Sequence, residues 1–198
     1  MRFKRLFDLC LAIPGAVIVS PVLLGIAAWV KWDSPGPVLF RQVRVGRGGR
    51  PFKVLKFRTM LAGAEGKGPP ITIGSDPRIT RCGAFIRKHK LDELPQLFNV
   101  IKGEMSLVGP RPEVPEYVAL YPPEVRDVVL SVPPGVTDLA SIEFKDESIL
   151  LAASEDPRRT YIAEILPRKL DLYVSYVGKR SLSLDVQVIA KTIRAIIT

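Results

Sequence analysis

Histidine occurs once in the 198 residues, at His89, and cysteine only at Cys10 and Cys82. That inventory is too thin for a zinc site, which draws its ligands from clustered Cys and His. Cys10 lies inside an apolar run, so pairing with Cys82 is not expected, and no disulfide framework exists. A reducing, cytoplasmic setting is expected for the polar part. A Walker-type loop and a dinucleotide fingerprint are both missing. Gly46-Arg47-Gly48-Gly49 has neither the spacing nor the context of either. No motif supports Ser–His–Asp chemistry. Acid is scarce at the N-terminal end: residues 1–60 hold eleven Lys/Arg against only Asp8 and Asp33. The remaining chain balances eighteen of each, so the whole net charge of +9 belongs to the first third, where it can act as one field.

The longest uncharged run is twenty-two residues, Leu9 to Val30, with Arg2, Lys4 and Arg5 before it and Lys31 after. A cleaved signal peptide, a single spanning helix and a hairpin that dips into one leaflet all fit this order. Two features favour the hairpin. Ser20-Pro21 falls near the centre, and proline removes a backbone donor and clashes with the preceding turn. Each half would then be about 18 Å long at 1.5 Å per residue, short of a ~30 Å hydrocarbon core. Both flanks are also basic, with Arg41, Arg44 and Arg47 following Lys31, which places both ends on the cytoplasmic side.

Beyond the turn-rich segment Asp33-Ser34-Pro35-Gly36-Pro37, residues 38–45 and 51–58 read as two strands joined by a glycine-rich turn. The stretch 62–76, with four glycines and two prolines, reads as a loop. Residues 91–101 carry apolar positions at Leu91, Leu94, Leu97/Phe98 and Ile101, the spacing of an amphipathic helix, with Asp92 as N-cap and Pro95 in the first turn. Further helices are expected near 113–120, 158–177 and 183–197. The sum is a mainly helical α+β protein with one small β-hairpin. Residues 1–32 would form the membrane hairpin and 33–198 a catalytic domain at the interface.

Asp92-Glu93 is the sharpest candidate for chemistry. Read locally it is either a helix cap with a first-turn acid, or a pair of carboxylates set among the cations Arg87, Lys88, His89 and Lys90 to meet a phosphorylated ligand. Lys53, Lys56 and Arg58 are either a solvated edge strand or a phosphate cradle. Arg111, fixed between Pro110 and Pro112, suits bidentate phosphate recognition. His89 reads as a surface residue of a basic run.

These residues bear a specific resemblance. Phe7-Asp8 ahead of the apolar helix, Ser20-Pro21, Phe40-x-Gln42-x-Arg44-x-Gly46, and Phe52-Lys53 with Lys56-Phe57-Arg58-Thr59-Met60 all carry it. Its most specific part runs from Leu91-Asp92-Glu93-Leu94-Pro95-Gln96-Leu97-Phe98-Asn99 to Gly109-Pro110-Arg111-Pro112. Tyr176 and Ser183-Leu184-Asp185-Val186 extend it. Over nearly its whole length the chain resembles the monotopic phosphoglycosyl transferases, bacterial sugar transferases that initiate glycoconjugate assembly.

The resemblance implies a monotopic protein on the cytoplasmic face of the inner membrane, anchored by a re-entrant hairpin broken at Ser20-Pro21. It implies that Asp92 attacks the β-phosphorus of a UDP-sugar, releases UMP and passes the phosphosugar to a polyprenyl phosphate. Mg²⁺ would bridge Asp92 and the diphosphate. Glu93 would act as general base or metal-supporting group. Lys56, Arg58 and Arg111 would contact phosphate, with Gln96 as a further substrate contact. One stretch departs from the family: Pro134-Gly135-Val136-Thr137-Asp138 and Ala140-Ser141-Ile142 stand where many members have Pro-Gly-Ile-Thr-Gly and Ala-Gln-Val. With Asp138 and Ser141 in this stretch, neither sugar nor base specificity is carried over from the resemblance.

Two other readings have weaker support. A membrane-tethered interaction protein would use the basic third on anionic lipid. A nucleic-acid binder would explain the pI near 9.8. However, the charge adjoins an apolar anchor rather than alternating with aromatics, so no nucleic-acid partner is expected.

Overall fold

The computed structural model describes residues 2–64 and 76–197. Most of the loop expected at 62–76 lies outside the described residues. The protein is mainly helical, as its periodicity suggested, and its elements divide into a long N-terminal helix and a body of short helices around two small sheets.

Helix α1 spans Arg2–Asp33 and contains both Pro14 and Pro21. The expected break at Ser20-Pro21 does not interrupt it. Pro21 lacks the N–H that would bond the carbonyl four residues earlier, at Val17. The Ser20 hydroxyl donates to that carbonyl at 2.7 Å, so the helix continues with its acceptor satisfied. Only 22% of the apolar window of α1 is buried inside the protein. Val17, Ile18 and Leu24 are exposed, as expected of a face that meets lipid.

Both ends of α1 are docked on the body. Near the N-terminus, Arg5 donates to the carbonyls of Val100 and Ile101, the latter at 2.8 Å. The buried Asp8 accepts from Lys4 Nζ at 2.7 Å and from Ser106 Oγ at 2.8 Å. Lys4 also reaches Asp185 at 2.9 Å, and Asp185 accepts from the Tyr176 hydroxyl at 2.7 Å. Lys4 and Arg5, which the sequence presents as a basic flank of the apolar run, are thus engaged with protein. Toward the C-terminus, Leu23, Ile26 and Val30 pack with Phe57, Cys82 and Ile86.

Strands β1 (Leu39–Val45) and β2 (Pro51–Phe57) form the expected antiparallel hairpin, pairing Phe40 with Lys56 and Gln42 with Val54. Gly48 and Gly49 turn it at φ of 66° and 77°, angles that favour glycine. Helix α2 (Arg81–Lys88) follows, N-capped by Thr80, whose hydroxyl accepts from Gly83 N at 2.9 Å. Helix α3 (Gln96–Lys102) is stitched to β2 by the fully buried Asn99. Its amide accepts from Leu55 N at 3.0 Å and donates to the Lys53 carbonyl at 2.9 Å.

A second sheet was not foreseen: β3 (Ser106–Val108) pairs in parallel with β4 (Gly135–Thr137). Between them lie α4 (Pro115–Val118) and α5 (Pro123–Val129). Helices α6 (Leu139–Glu143), α7 (Glu147–Ala152) and α8 (Pro157–Thr160) come next. A π-helical turn, Tyr161–Ile165, leads into α9 (Leu166–Lys179), and α10 (Leu182–Ile197) follows. A tyrosine-rich core of Tyr117, Tyr121, Tyr161 and Tyr173 holds α4, α5 and α9 together.

Candidate active site

Asp92 and Glu93 do not begin α3. They occupy a separate 3₁₀ turn, Leu91–Glu93, while α3 starts at Gln96 with Pro95 in the capping position. Lys90 explains the difference: its φ of 55° is left-handed, so the chain closes α2 and turns sharply before the acids. The expected capping role for Asp92 is corrected accordingly. Because Asn99 fixes α3 against β2, this turn stands against Lys56.

Glu93 is the hub of the site. Lys56 Nζ lies 2.6 Å from its Oε1, and Arg111 spans both carboxylate oxygens, at 2.5 Å and 3.3 Å. Burial works against its charge, but Arg111 and Lys56 outweigh burial and hold the Glu93 carboxyl well below the ordinary range. Arg111 in turn is held well above its usual value by Glu93. Asp92, only 9% exposed, is shifted the other way. Burial raises its carboxyl and the neighbouring Glu93 adds to this, while Lys56, Arg87 and Arg111 pull against both. Two adjacent acids are therefore pushed apart, one locked as an anion and one made more basic, a pattern typical of sites with divided roles.

The segment carrying Arg111 is held from both sides. Gly135 N donates to the Pro110 carbonyl at 2.9 Å and Gly109 N to the Thr137 carbonyl at 3.1 Å. A Cβ on Gly135 would lie 2.2 Å from Gly109 N, so the two backbones touch only because neither residue has a side chain. On the other side Val45 N donates to the Glu113 carbonyl at 2.9 Å. A crevice lined by Arg44, Val54, Lys56, Gln96, Arg111 and Pro112 opens beside Glu93. The structure thus brings Asp92, Glu93, Lys56, Gln96 and Arg111 together.

Arg58 does not join them. It is buried at 6% exposure, and its guanidinium donates to the carbonyls of Val30 at 3.2 Å, Ser34 at 2.7 Å and Pro35. It caps the C-terminal end of α1, where a cation complements the free carbonyls. Lys56 and Arg58 do share strand periodicity, but β2 ends at Phe57, and the chain beyond it turns toward α1. Of the basic run 87–90, Arg87 is the member that acts on Asp92. It also donates to Thr59 Oγ1 at 2.9 Å. His89 packs at a tilt against Phe85, with ring centroids 4.5 Å apart.

Asp138 and Ser141, the departures from the family pattern, are partners. Asp138 is the N-cap of α6, accepting from Ser141 N at 2.9 Å and from the Ser141 hydroxyl. Arg44 and Glu113 received no role in the site from sequence, although Arg44 was visible in the Gln42-x-Arg44 pattern.

Among the described residues, no group of three or more His, Cys, Asp or Glu could hold a metal. With both Glu93 oxygens engaged, Asp92 is the carboxylate left to offer. That fits Mg²⁺, which is commonly held by one or two carboxylates plus substrate phosphates.

A family model described as bacterial sugar transferase matches residues 1–198. A UDP-N-acetylgalactosamine-undecaprenyl-phosphate N-acetylgalactosaminephosphotransferase of Aeromonas hydrophila is 40% identical over 98% of this chain and 44% of its own length. A UDP-glucose:undecaprenyl-phosphate glucose-1-phosphate transferase of Klebsiella pneumoniae is 37% identical over 98% of this chain and 40% of its own. One of the same name from Caulobacter vibrioides is 35% identical over 98% of this chain and 70% of its own. The chain thus spans less than half the length of the first and second of these relatives. With the match to the family model covering every residue, the chain belongs to the bacterial sugar transferase family.

Proposed function

We propose that this chain transfers a sugar 1-phosphate from a UDP-sugar to a polyprenyl phosphate such as undecaprenyl phosphate, through a phosphosugar carried on Asp92. The observation that carries the reading is the carboxylate pair: a buried Asp92, its carboxyl raised by burial, beside a Glu93 held between Lys56 and Arg111. The relatives' names supply the substrate classes.

In the first step an Asp92 oxygen bonds to the β-phosphorus of the UDP-sugar. The bond from that phosphorus to the bridging oxygen breaks, and UMP leaves with the oxygen and its electron pair. In the second step a polyprenyl phosphate oxygen attacks the same phosphorus, the bond to Asp92 breaks, and the carboxylate is restored. Lys56 and Arg111 stand at the crevice to balance the phosphate charge. Mg²⁺ held by Asp92 and the diphosphate would neutralise charge that otherwise repels an anionic nucleophile. A carboxylate held as low as Glu93 is a weak base, so a supporting role for the cations and metal suits it better than proton abstraction.

The membrane reading rests on α1. Its thirty-two residues would extend about 48 Å if straight, more than a ~30 Å hydrocarbon core. Its Arg5–Asp8 end docks near α3 and β3, and its Leu23–Val30 end docks on β2 and α2. A spanning helix separates its ends across the bilayer, whereas these two ends share one body. We therefore favour insertion into one leaflet, bent at Pro14 and Pro21, with the body on the cytoplasmic face.

Activity is tested by incubating the purified chain with Mg²⁺, undecaprenyl phosphate and a panel of UDP-sugars, and measuring UMP. At least one UDP-sugar should yield UMP, and Asp92→Asn should yield none. No UMP from any sugar would refute the assignment, and full activity in Asp92→Asn would refute the role of Asp92.

A further inference from the structure

Arg44 lies on β1 and lines the wall of the crevice, yet its guanidinium is committed to Gln42 and to the segment that carries Arg111. Nη1 donates to the Pro112 carbonyl at 2.9 Å and lies 3.3 Å from Glu113 Oε2. Nε and Nη2 both donate to Gln42 Oε1, at 3.0 Å and 2.7 Å. The fork on Gln42 fixes the plane of the guanidinium. Glu113 is fixed independently, since the Tyr161 hydroxyl donates to its Oε1 at 2.9 Å. Tyr161 itself is buried in the core against Tyr117, with ring centroids 4.8 Å apart. A chain of bonds therefore runs from the tyrosine core through Glu113 to Arg44, and from Arg44 to the carbonyl immediately after Arg111.

We propose that Arg44 is a positioning residue, holding Pro112 and Glu113 so that Arg111 meets Glu93 in bidentate register. All three of its nitrogens already have protein acceptors, so it acts through Arg111 rather than by taking up phosphate itself. The backbone of Arg111 is restricted by the prolines on either side. A shift at the Pro112 carbonyl therefore passes to the guanidinium rather than being absorbed by the chain. Lysine cannot reproduce the clamp, because one ammonium lacks the planar fork that meets Gln42, Pro112 and Glu113 together. The proposal rests on the transferase reading for its kinetic consequence, but not for its geometry.

The test is a double-mutant cycle on UMP release with Arg44→Met and Arg111→Met. Arg44→Met alone should lower turnover by about ten- to a hundredfold, the range expected when a reacting group is displaced by ~1 Å. Arg44→Lys should recover only part of this. On the Arg111→Met background, Arg44→Met should cost less than about twofold, because it acts through a group already removed. Full additivity, or wild-type turnover in Arg44→Met, would overturn the proposal. Should Arg44→Met fail to fold, Gln42→Leu removes the fork while keeping the cation, and the same cycle is run with it. A second readout separates this idea from the transferase reading. In micelles, ¹⁵N spectra of Arg111 in the wild type should show the slowed guanidinium rotation of a bidentate pair, and Arg44→Met should abolish it. Silence of the wild type in UMP release with that spectral change present would refute the transferase reading alone. An unchanged Arg111 spectrum would refute the positioning role, whatever the activity.

Discussion

Replacing Arg58 by Met should unfasten the C-terminal end of α1 without touching catalysis. The substitution keeps much of the side chain's bulk and removes its charge and three donated hydrogen bonds. Hydrogen bonds from a charged donor contribute roughly 1.5–3 kcal/mol each. Removing a buried charge returns part of that, so a net loss of about 3 kcal/mol is expected. For a chain of this size each kcal/mol moves Tm by about 2–4 °C, giving a fall of roughly 6–12 °C. The assay is thermal unfolding in detergent, followed by tryptophan fluorescence. The only two tryptophans, Trp29 and Trp32, flank Val30 on this end of α1. KM for the UDP-sugar should be unchanged in the folded variant. Gly36→Ala should weaken the same junction, since its Cβ would fall 2.2 Å from Arg58 Nη1 at a φ of +127°. An unchanged Tm with a raised KM for Arg58→Met would refute this reasoning and make Arg58 the phosphate contact that its strand position suggested.

Asp138→Asn should stabilise the protein at neutral pH. Burial raises the Asp138 carboxyl, so the folded state binds its proton more tightly than the unfolded state. Stability then falls as pH rises from the unfolded value through the folded one. Asparagine keeps the cap without this slope, and denaturant titrations of both forms across that range will show whether the gap opens with pH. Gly135→Ala should lower stability by about 2 kcal/mol or more and abolish UMP release, because the added Cβ overlaps Gly109 and separates β3 from β4. Lys4→Met leaves Asp8 and Asp185 without their shared cation and should lower Tm. Adding Asp185→Asn should restore part of that loss; no recovery would mean that the charges are not coupled.

The hairpin, α9 and α10 could be read from sequence because each is long enough to display its period. Strands β3 and β4 could not, since three residues carry no alternation and their pairing depends on the bare backbones of Gly109 and Gly135. The Asp92-Glu93 pair was legible as a motif, but its turn was not. Pro95 permits either a first helical turn or a cap, and only the left-handed Lys90 decides between them. Lys56 and Arg58 looked equivalent because a strand pattern cannot say where the strand stops. The roles of Arg44, Lys4 and Arg5 were hidden for a related reason: charge counting gives the sign of a field but not which cations are already engaged by carbonyls across the fold.

The central claim is that Asp92 becomes covalently charged with the phosphosugar. The direct measurement is to mix the enzyme with Mg²⁺ and a UDP-sugar it accepts, omit the polyprenyl phosphate, quench rapidly, and locate any added mass. A burst of at most about one UMP per site is expected, if hydrolysis of the adduct is slow, with a phosphosugar on Asp92 that disappears when the lipid phosphate is added. Turnover to lipid product at the normal rate, with no adduct at any quench time, would contradict it.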